Sequence, residues 1–199
     1  MSDQLSLASL TALGEYVNTS ELSPHPPVEQ WRPQHHGQIA ITILADGSWV
    51  HEGGVIHREG LVKLFTRILW FEDGQHYLKT PVEQLQIQVE DAPFFMTTLA
   101  VMDVGTPRQQ LVFSSRYGEV VVAGSEHRLW LEADAQGNPL PYIGMRYGMR
   151  GKLSRSVFYQ LAQHLESDSS DDPATEVDGT ETAFWVRSQG ILFPMTLPD

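Results

Sequence analysis

The chain has 199 residues, carries 13 lysines and arginines against 25 aspartates and glutamates, and contains no cysteine. Its net charge of −12 repels nucleic-acid phosphates and anionic membranes, so bulk binding to either is not expected unless the few cations gather in one place. The absence of cysteine excludes disulfides, thiolate nucleophiles and zinc–thiolate sites. The length allows one large domain or two small ones.

Residues 1–37 predict an N-terminal helix and an extended arm. Leucines at helical spacing over the first 17 residues predict a short amphipathic helix, and the prolines from Ser20 to Gly37 predict an arm for which Trp31 is the anchor. The start lacks both a basic region and a long apolar run, so neither a signal peptide nor a membrane anchor is expected. These features favour a cytoplasmic protein.

Residues 38–80 predict a first α+β unit. Alternating isoleucines before Asp46-Gly47 indicate a hairpin that continues through Trp49. The spacing of the apolar residues from Arg58 to Trp70 predicts a helix, which Asp73-Gly74 is expected to end. A strand follows at His76–Lys79.

Residues 81–199 predict a second, larger unit that is mainly an antiparallel sheet with one helix. Turn residues separate consecutive strands, which are expected at residues 85–89, 94–102, 110–114, 119–122, 128–133 and 141–146. A helix is expected at Arg155–Leu165, followed by an acidic loop at residues 166–181 and two closing strands. The fold class is therefore α+β.

Comparison of the chain with itself indicates a duplication. Ile56–Leu64 and Leu153–Leu161 share one pattern of apolar residues around Arg58 and Arg155, and each follows a strand and a glycine turn. In this interpretation His57 and Ser154 are N-caps, and each arginine takes the first helical position.

A cation at that position opposes the helix dipole at a cost of about 0.3–1 kcal/mol, so both arginines need an anion nearby. One source is a carboxylate of the protein, with Glu83, Glu90 and Asp91 as the candidates. The other source is an external anionic ligand.

A cluster of cations precedes the second helix. Arg146, Arg150, Lys152 and Arg155 lie within ten residues, beside a helix N-terminus and among glycines that allow close approach to the backbone. The cluster is either an anion site or a solvated basic turn that balances the acidic loop.

Six short stretches between Trp31 and Pro194 form a combined signature: Asp46-Gly47-x-Trp49, Ile56-x-Arg58-x-x-Leu61-Val62, Tyr77-x-x-x-Thr80-Pro81-Val82-Glu83, Val89-Glu90-Asp91-Ala92-Pro93-Phe94, Leu153-Ser154-Arg155 with Phe158, and Ser188-x-Gly190-x-x-Phe193-Pro194. Together they resemble a family of uncharacterised bacterial proteins, a domain of unknown function. The resemblance implies a duplicated α+β unit with a pleckstrin-homology-like second half, a nucleotide-like ligand between the halves and a role in signalling. The chain departs from the family in its acidic insert and in Met149, where leucine is expected.

The histidines lack the spacing of a zinc motif, and no nucleophile elbow, P-loop or dinucleotide fingerprint is present. We therefore expect a non-enzymatic protein without metal or cofactor, which binds a small anionic, nucleotide-like ligand and has a protein partner as a further option. The predicted ligand-binding residues are Arg58, Tyr77, Lys79, Glu90, Asp91, Arg146, Tyr147, Arg150 and Arg155.

Two alternatives stay open. One is a hydrolase or transferase acting on a phosphorylated small molecule, with Glu90 or Asp91 as general base. The other is a protein–protein interaction module that uses the leading helix and an open strand edge.

Overall fold

The computed structural model describes residues 25–167 and 184–197, which form two units. The first unit comprises the described residues up to Phe94 together with Tyr147–Met149, and the second comprises the remainder. The predicted N-terminal helix and residues 168–181 of the predicted acidic loop lie outside the described residues. Within the described ranges, no helix is long and apolar enough to cross a membrane.

The first unit is a six-stranded sheet with one α-helix. Its elements in chain order are a 3₁₀ turn at Val28–Gln30, β1 His35–Ile43, β2 Trp49–His51, β3 Gly54–Val55, α1 Glu59–Arg67, β4 Leu69–Glu72, β5 Gln75–Lys79 and β6 Glu83–Val89. The strand order is β3-β2-β1-β6-β5-β4. The β1–β6 pair is parallel, and the other pairs are antiparallel.

The core of the first unit lies between α1 and one face of the sheet. Ile41 and Ile43 alternate along β1 and are fully buried, as is Phe65 on the apolar stripe of α1. The Phe65 ring contacts Trp49 of β2 with centroids 5.8 Å apart. Each such side chain stabilises the fold by about 1.5–3 kcal/mol through burial.

The predicted helix through Trp70 is too long. Helix α1 ends at Arg67, and Leu69–Glu72 forms β4, which pairs with β5 across Asp73-Gly74. Both turn residues have positive φ, 51° and 75°, as a type I′ hairpin requires. Asp73-Gly74 therefore marks a hairpin, and Trp70 lies on a strand.

The predicted boundary between residues 80 and 81 is also misplaced. Strand β6 pairs with both β5 and β1, so it completes the first sheet, and this unit extends to Phe94. Thr80 builds the β5–β6 turn, because its Oγ1 accepts hydrogen bonds from the Val82 and Glu83 amides. A threonine-proline pair that closes a hairpin resembles a domain junction in sequence.

The second unit contains a six-stranded sheet, one helix and a three-stranded sheet. Its elements are β7 Phe94–Met102, β8 Gln110–Ser115, β9 Val120–Val122, β10 Leu129–Ala133, β11 Pro139–Gly144, β12 Arg150–Leu153, α2 Arg155–Ala162, β13 Glu166–Ser167, β14 Phe184–Ser188 and β15 Ile191–Pro194. The larger sheet has the order β10-β11-β12-β7-β8-β9, and the smaller has β13-β14-β15. Glu166 and Ser167, predicted to begin the acidic loop, lie in a strand.

The predicted duplication is visible in the two larger sheets. Read as β9-β8-β7-β12-β11-β10, the second repeats the order β3-β2-β1-β6-β5-β4 of the first. The predicted α+β class with two related units is thus confirmed. The helices differ in place, since α1 follows the third strand of its sheet and α2 follows the sixth.

The two helices also begin differently. Ser154 caps α2, and its Oγ accepts a hydrogen bond from the Val157 amide at 3.3 Å. Helix α1 begins one residue later than predicted, so Arg58 rather than His57 is its N-cap, and Arg58 makes no capping hydrogen bond. Helix α2 ends at Ala162 instead of Leu165.

Ser188 joins the smaller sheet to the larger one. Its side chain is fully buried, accepts a hydrogen bond from the Leu111 amide at 3.0 Å and donates one to the Ala123 carbonyl at 2.7 Å. Gln109 adds a bond from its Nε2 to the Arg187 carbonyl at 2.8 Å. Every one of these buried polar atoms has a partner, as a stable interior requires.

Candidate ligand site

The second face of the first sheet is polar. Side chains alternate along a strand, so Gln84 and Gln86 of β6 lie on the face opposite Leu85. Gln86 Nε2 donates to Gln75 Oε1 at 2.7 Å, and Gln86 Oε1 accepts from Gln38 Nε2 at 3.1 Å. The result is a chain of paired amides across β1, β6 and β5.

A lysine and two aromatic residues lie on that same face. Trp70 of β4 pairs directly with Tyr77 of β5, and Lys79 stands two residues further along β5. The Lys79 Nζ lies 4.1 Å from the centre of the Trp70 ring. The prediction of β5 from sequence therefore placed Tyr77 and Lys79 correctly on one strand.

Lys79 is a buried cation. Its side chain is only 4% exposed, and within the described part of the chain its ammonium forms neither a hydrogen bond nor an ion pair. Burial lowers its pKa below that of an ordinary lysine. Glu72 opposes this shift in the Lys79 pKa, and the positive charge of Arg32 adds to it. A lysine whose side chain is almost wholly buried, with an aromatic face but no ion pair beside its ammonium, is costly to keep.

The 3₁₀ turn brings charge to this cluster. Arg32 Nη1 donates to the carbonyls of Glu29 and Trp31 at 2.7 and 2.8 Å, which fixes its guanidinium over the end of the turn. Val28 is fully buried and is the anchor of the arm, whereas the predicted anchor Trp31 is half-buried. Glu29 and Arg32 both act on the charge of Lys79.

Tyr147 completes the cluster. Its ring centroid lies 4.7 Å from that of Trp70, with the planes tilted by 54°, and its hydroxyl donates to Glu29 Oε2 at 2.8 Å. Hydrogen bonds lower the Glu29 pKa, first from the backbone amide of Glu29 itself and then from Tyr147. Tyr147 has left-handed backbone angles, φ 58° and ψ 27°, which are uncommon for an aromatic residue.

The arginines predicted beside Tyr147 are used inside the second unit. Arg146 forms an ion pair with the buried Glu119 at 2.5 Å. Arg150 binds both carboxylate oxygens of Glu132, at 3.1 and 2.9 Å, and its guanidinium carbon lies 4.6 Å from the centre of the Tyr142 ring. Two of the four cations in the sequence cluster, Arg146 and Arg150, are therefore paired with local carboxylates.

The arginines at the helix starts are exposed. In residues 25–167 and 184–197 neither Arg58 nor Arg155 forms an ion pair or a side-chain hydrogen bond. Of their predicted carboxylate partners, Glu90 accepts the Ala45 amide at 2.9 Å and so closes the β1–β2 turn, and Asp91 follows it in the chain. The internal pairing of these arginines with Glu83, Glu90 or Asp91 is not observed.

No group of histidine and acidic side chains in the described ranges is arranged to hold a metal ion.

Sequence reasoning missed Trp70, Glu29 and Arg32. The helical spacing predicts a helix through Trp70, whereas Trp70 lies on β4, on the face of the sheet that carries Lys79. The signal that could have found it was Asp73-Gly74, since a hairpin there pairs Trp70 with Tyr77. Glu29 and Arg32 carry no comparable signal, because their position depends on a short turn within a proline-rich arm.

The fold defines a class of α+β proteins made of two units, each containing a six-stranded sheet with the same strand order. Models for the N-terminal and C-terminal domains of DUF1285, a domain and protein of unknown function, match residues 26–92 and 93–195. The chain belongs to the DUF1285 family. The resemblance found in the sequence is confirmed.

Two solved structures are similar to the chain. A DUF1285 family protein from Silicibacter pomeroyi DSS-3 is 34% identical, covers 94% of this chain and 93% of its own, and has a TM-score of 0.77. A DUF1285 family protein from Shewanella baltica OS155 is 26% identical, covers 63% of this chain and 91% of its own, and has a TM-score of 0.49. No curated protein matches the chain.

Proposed function

We propose that the protein is a non-enzymatic ligand-binding protein with a role in signalling, which takes up a small anionic, nucleotide-like molecule at the polar face of its first sheet. The observation that carries this proposal is Lys79, a lysine with an almost wholly buried side chain whose ammonium has no hydrogen bond or ion pair among the described residues. An anionic ligand supplies the acceptor that the ammonium lacks.

Charges of both signs act on Lys79. Glu72 has the largest effect among them and, with Glu29, raises the Lys79 pKa, whereas Arg32 lowers it. An anion bound between Lys79 and Arg32 relieves the repulsion between these two cations. Trp70 and Tyr77 provide aromatic surface on the same side of the sheet. Rings of this kind stack on the planar part of a ligand.

The contacts of the other candidate residues support catalysis less than they support ligand binding. Glu90, the candidate general base, uses its carboxylate to hold the Ala45 amide, which is the role of a turn cap. The interaction-module alternative relies on an open strand edge and on the leading helix, and that helix lies outside the described residues. We therefore keep ligand binding as the proposed function.

The proposal is tested by the change in melting temperature on addition of ribose 5-phosphate or GMP. A ligand that binds only the folded state raises this temperature, in proportion to ln(1 + [L]/Kd). We expect at least one probe to stabilise the wild type and neither to stabilise Lys79→Met. Lys63→Met is the matched control, because Lys63 is an exposed lysine on α1.

Two results would overturn the proposal: neither probe shifts the melting temperature of the wild type, or Lys79→Met responds as the wild type does. Chromatography of the recovered probe separates binding from turnover. An unaltered probe supports a binding protein, whereas a converted one identifies an enzyme.

A further inference from the structure

The side chain of Tyr147 lies where an aromatic ligand would lie. Its ring rests against Trp70, whose ring also contacts the Lys79 ammonium, and its polar tip is held by the carboxylate of Glu29. A nucleotide base has the same parts, namely a planar ring and a polar edge. The contacts of Tyr147 therefore show which ligand features this place accepts.

The Tyr147–Trp70 contact is poorly suited to stacking. The planes are tilted by 54°, although offset parallel or edge-to-face pairs are preferred. The backbone of Tyr147 is left-handed, and Gly148 after it also has a positive φ of 74°. A bulky residue in that region is strained, and such strain is often found at ligand-binding or switching positions.

Trp70 has a buried donor that Tyr147 leaves unused. Its Nε1 is inaccessible to water and has no hydrogen-bond partner among the described residues. A buried indole N–H normally finds an acceptor. The site thus offers a donor on Trp70, an acceptor on Glu29 and a cation on Lys79.

We infer that the ligand is a planar heteroaromatic anion which displaces the Tyr147 side chain from Trp70. Its ring stacks on the indole, a ring N–H takes the place of the Tyr147 hydroxyl at Glu29, and its acidic group binds Lys79. This inference rests on the proposed function and deepens it. The Tyr147 side chain then occupies the ligand position until the ligand binds. When the side chain moves away from Trp70, the backbone of Tyr147 can take an unstrained conformation.

The inference is tested by isothermal titration of GMP and ribose 5-phosphate into the wild type and Tyr147→Asn. Asparagine tolerates left-handed backbone angles, so the variant keeps the backbone conformation and loses the aromatic side chain. We expect GMP to bind about 3–10-fold more tightly to the variant, the value of one aromatic pair, and ribose 5-phosphate to bind equally to both. Tyr159→Asn, at an exposed tyrosine of α2, is the matched control and should change neither affinity.

Tyr147→Phe is a second variant that keeps the ring. It removes the hydroxyl that donates to Glu29 and leaves the ring on Trp70, so we expect a smaller gain in GMP affinity than for Tyr147→Asn. Weaker GMP binding by Tyr147→Asn would overturn the inference, because Tyr147 would then be part of the binding surface. An equal gain for both probes, or no change for GMP, would overturn it too.

The two proposals fail in different ways. Binding of ribose 5-phosphate that depends on Lys79, with no tighter binding of GMP by Tyr147→Asn, removes the displacement of Tyr147 and leaves the anion site intact. The absence of binding by either probe removes both proposals.

Discussion

The two units treat their cations differently. In the second unit Arg146, Arg150 and Arg187 each pair with a glutamate at 2.5–2.9 Å. In the first unit Lys79 is more buried than any of these arginines and lies on an indole ring without an ion pair among the described residues. A paired cation holds its own unit together, whereas an unpaired buried cation weakens it.

The difference in ion pairing distinguishes structural cations from a candidate for ligand binding. The richest run of cations in the sequence, around Arg146 and Arg150, is occupied by structural ion pairs. The single lysine of β5 has no such partner and sits among aromatic rings. We therefore place the proposed anion site at Lys79 and not at the run of cations around Arg146 and Arg150.

The largest loss of stability is expected when the Arg146–Glu119 ion pair of the second unit is broken. Arg146→Met removes the ion pair to the Glu119 carboxylate, which is only 5% exposed, and we expect a loss of about 3–5 kcal/mol in the free energy of unfolding. Urea unfolding measures the loss. Arg128→Met, at an exposed arginine, is the control, and adding Glu119→Gln to Arg146→Met should recover part of the stability.

A somewhat smaller loss is expected from Ser188→Ala. The substitution strands the Leu111 amide and the Ala123 carbonyl, both of which use the buried Ser188 hydroxyl, at about 1–3 kcal/mol for each group. Urea unfolding should show a loss of about 2–4 kcal/mol, while Ser125→Ala, in an exposed turn, should be neutral. Equal stability of Ser188→Ala and wild type would show that the two hydrogen bonds contribute nothing.

Substitutions at the two helix N-termini are expected to change stability in opposite directions. Ser154→Ala removes the cap of α2 and should cost about 1 kcal/mol, whereas Arg58→Ser gives α1 a cap that it lacks and should add a similar amount. Arg155→Ala should change stability by less than about 0.5 kcal/mol, because its side chain is exposed. Thermal or urea unfolding of the three variants checks these signs, and a large loss for Arg155→Ala would reveal an ion pair in solution.

Much of the fold was predictable from sequence, and much of the site was not. The β1–β2 hairpin, the strands of the second sheet and the cap at Ser154 follow from alternation and turn residues that act locally. The end of α1 was missed because Ile68 and Leu69 continue the helical spacing while the hairpin at Asp73-Gly74 recruits the chain into β4. Tyr147 and Trp70 are 77 positions apart, and only tertiary structure brings them together.

The lowered pKa of Lys79 also makes the free energy of unfolding depend on pH. Its pKa is lower in the folded protein than in the unfolded chain, so between the two values the unfolded state binds more protons and stability rises with pH. We expect the stability difference between the wild type and Lys79→Met to shrink as the pH rises towards about 10, the ordinary range of lysine. The charges of Glu72, Arg32 and Glu29 are unchanged in the variant, so subtraction isolates Lys79.

The central claim is that Lys79 serves a ligand and not the fold. Its most direct test is the free energy of unfolding of Lys79→Met, measured in urea beside Lys63→Met and without ligand. Glu72 and Glu29 are exposed, so the variant strands no buried carboxylate, and we expect its stability to equal or exceed that of the wild type while the response to ribose 5-phosphate and GMP is lost. A loss of about 2 kcal/mol or more, the upper range of a desolvated cation–π contact, would contradict the account, because Lys79 would then be a structural partner of Trp70.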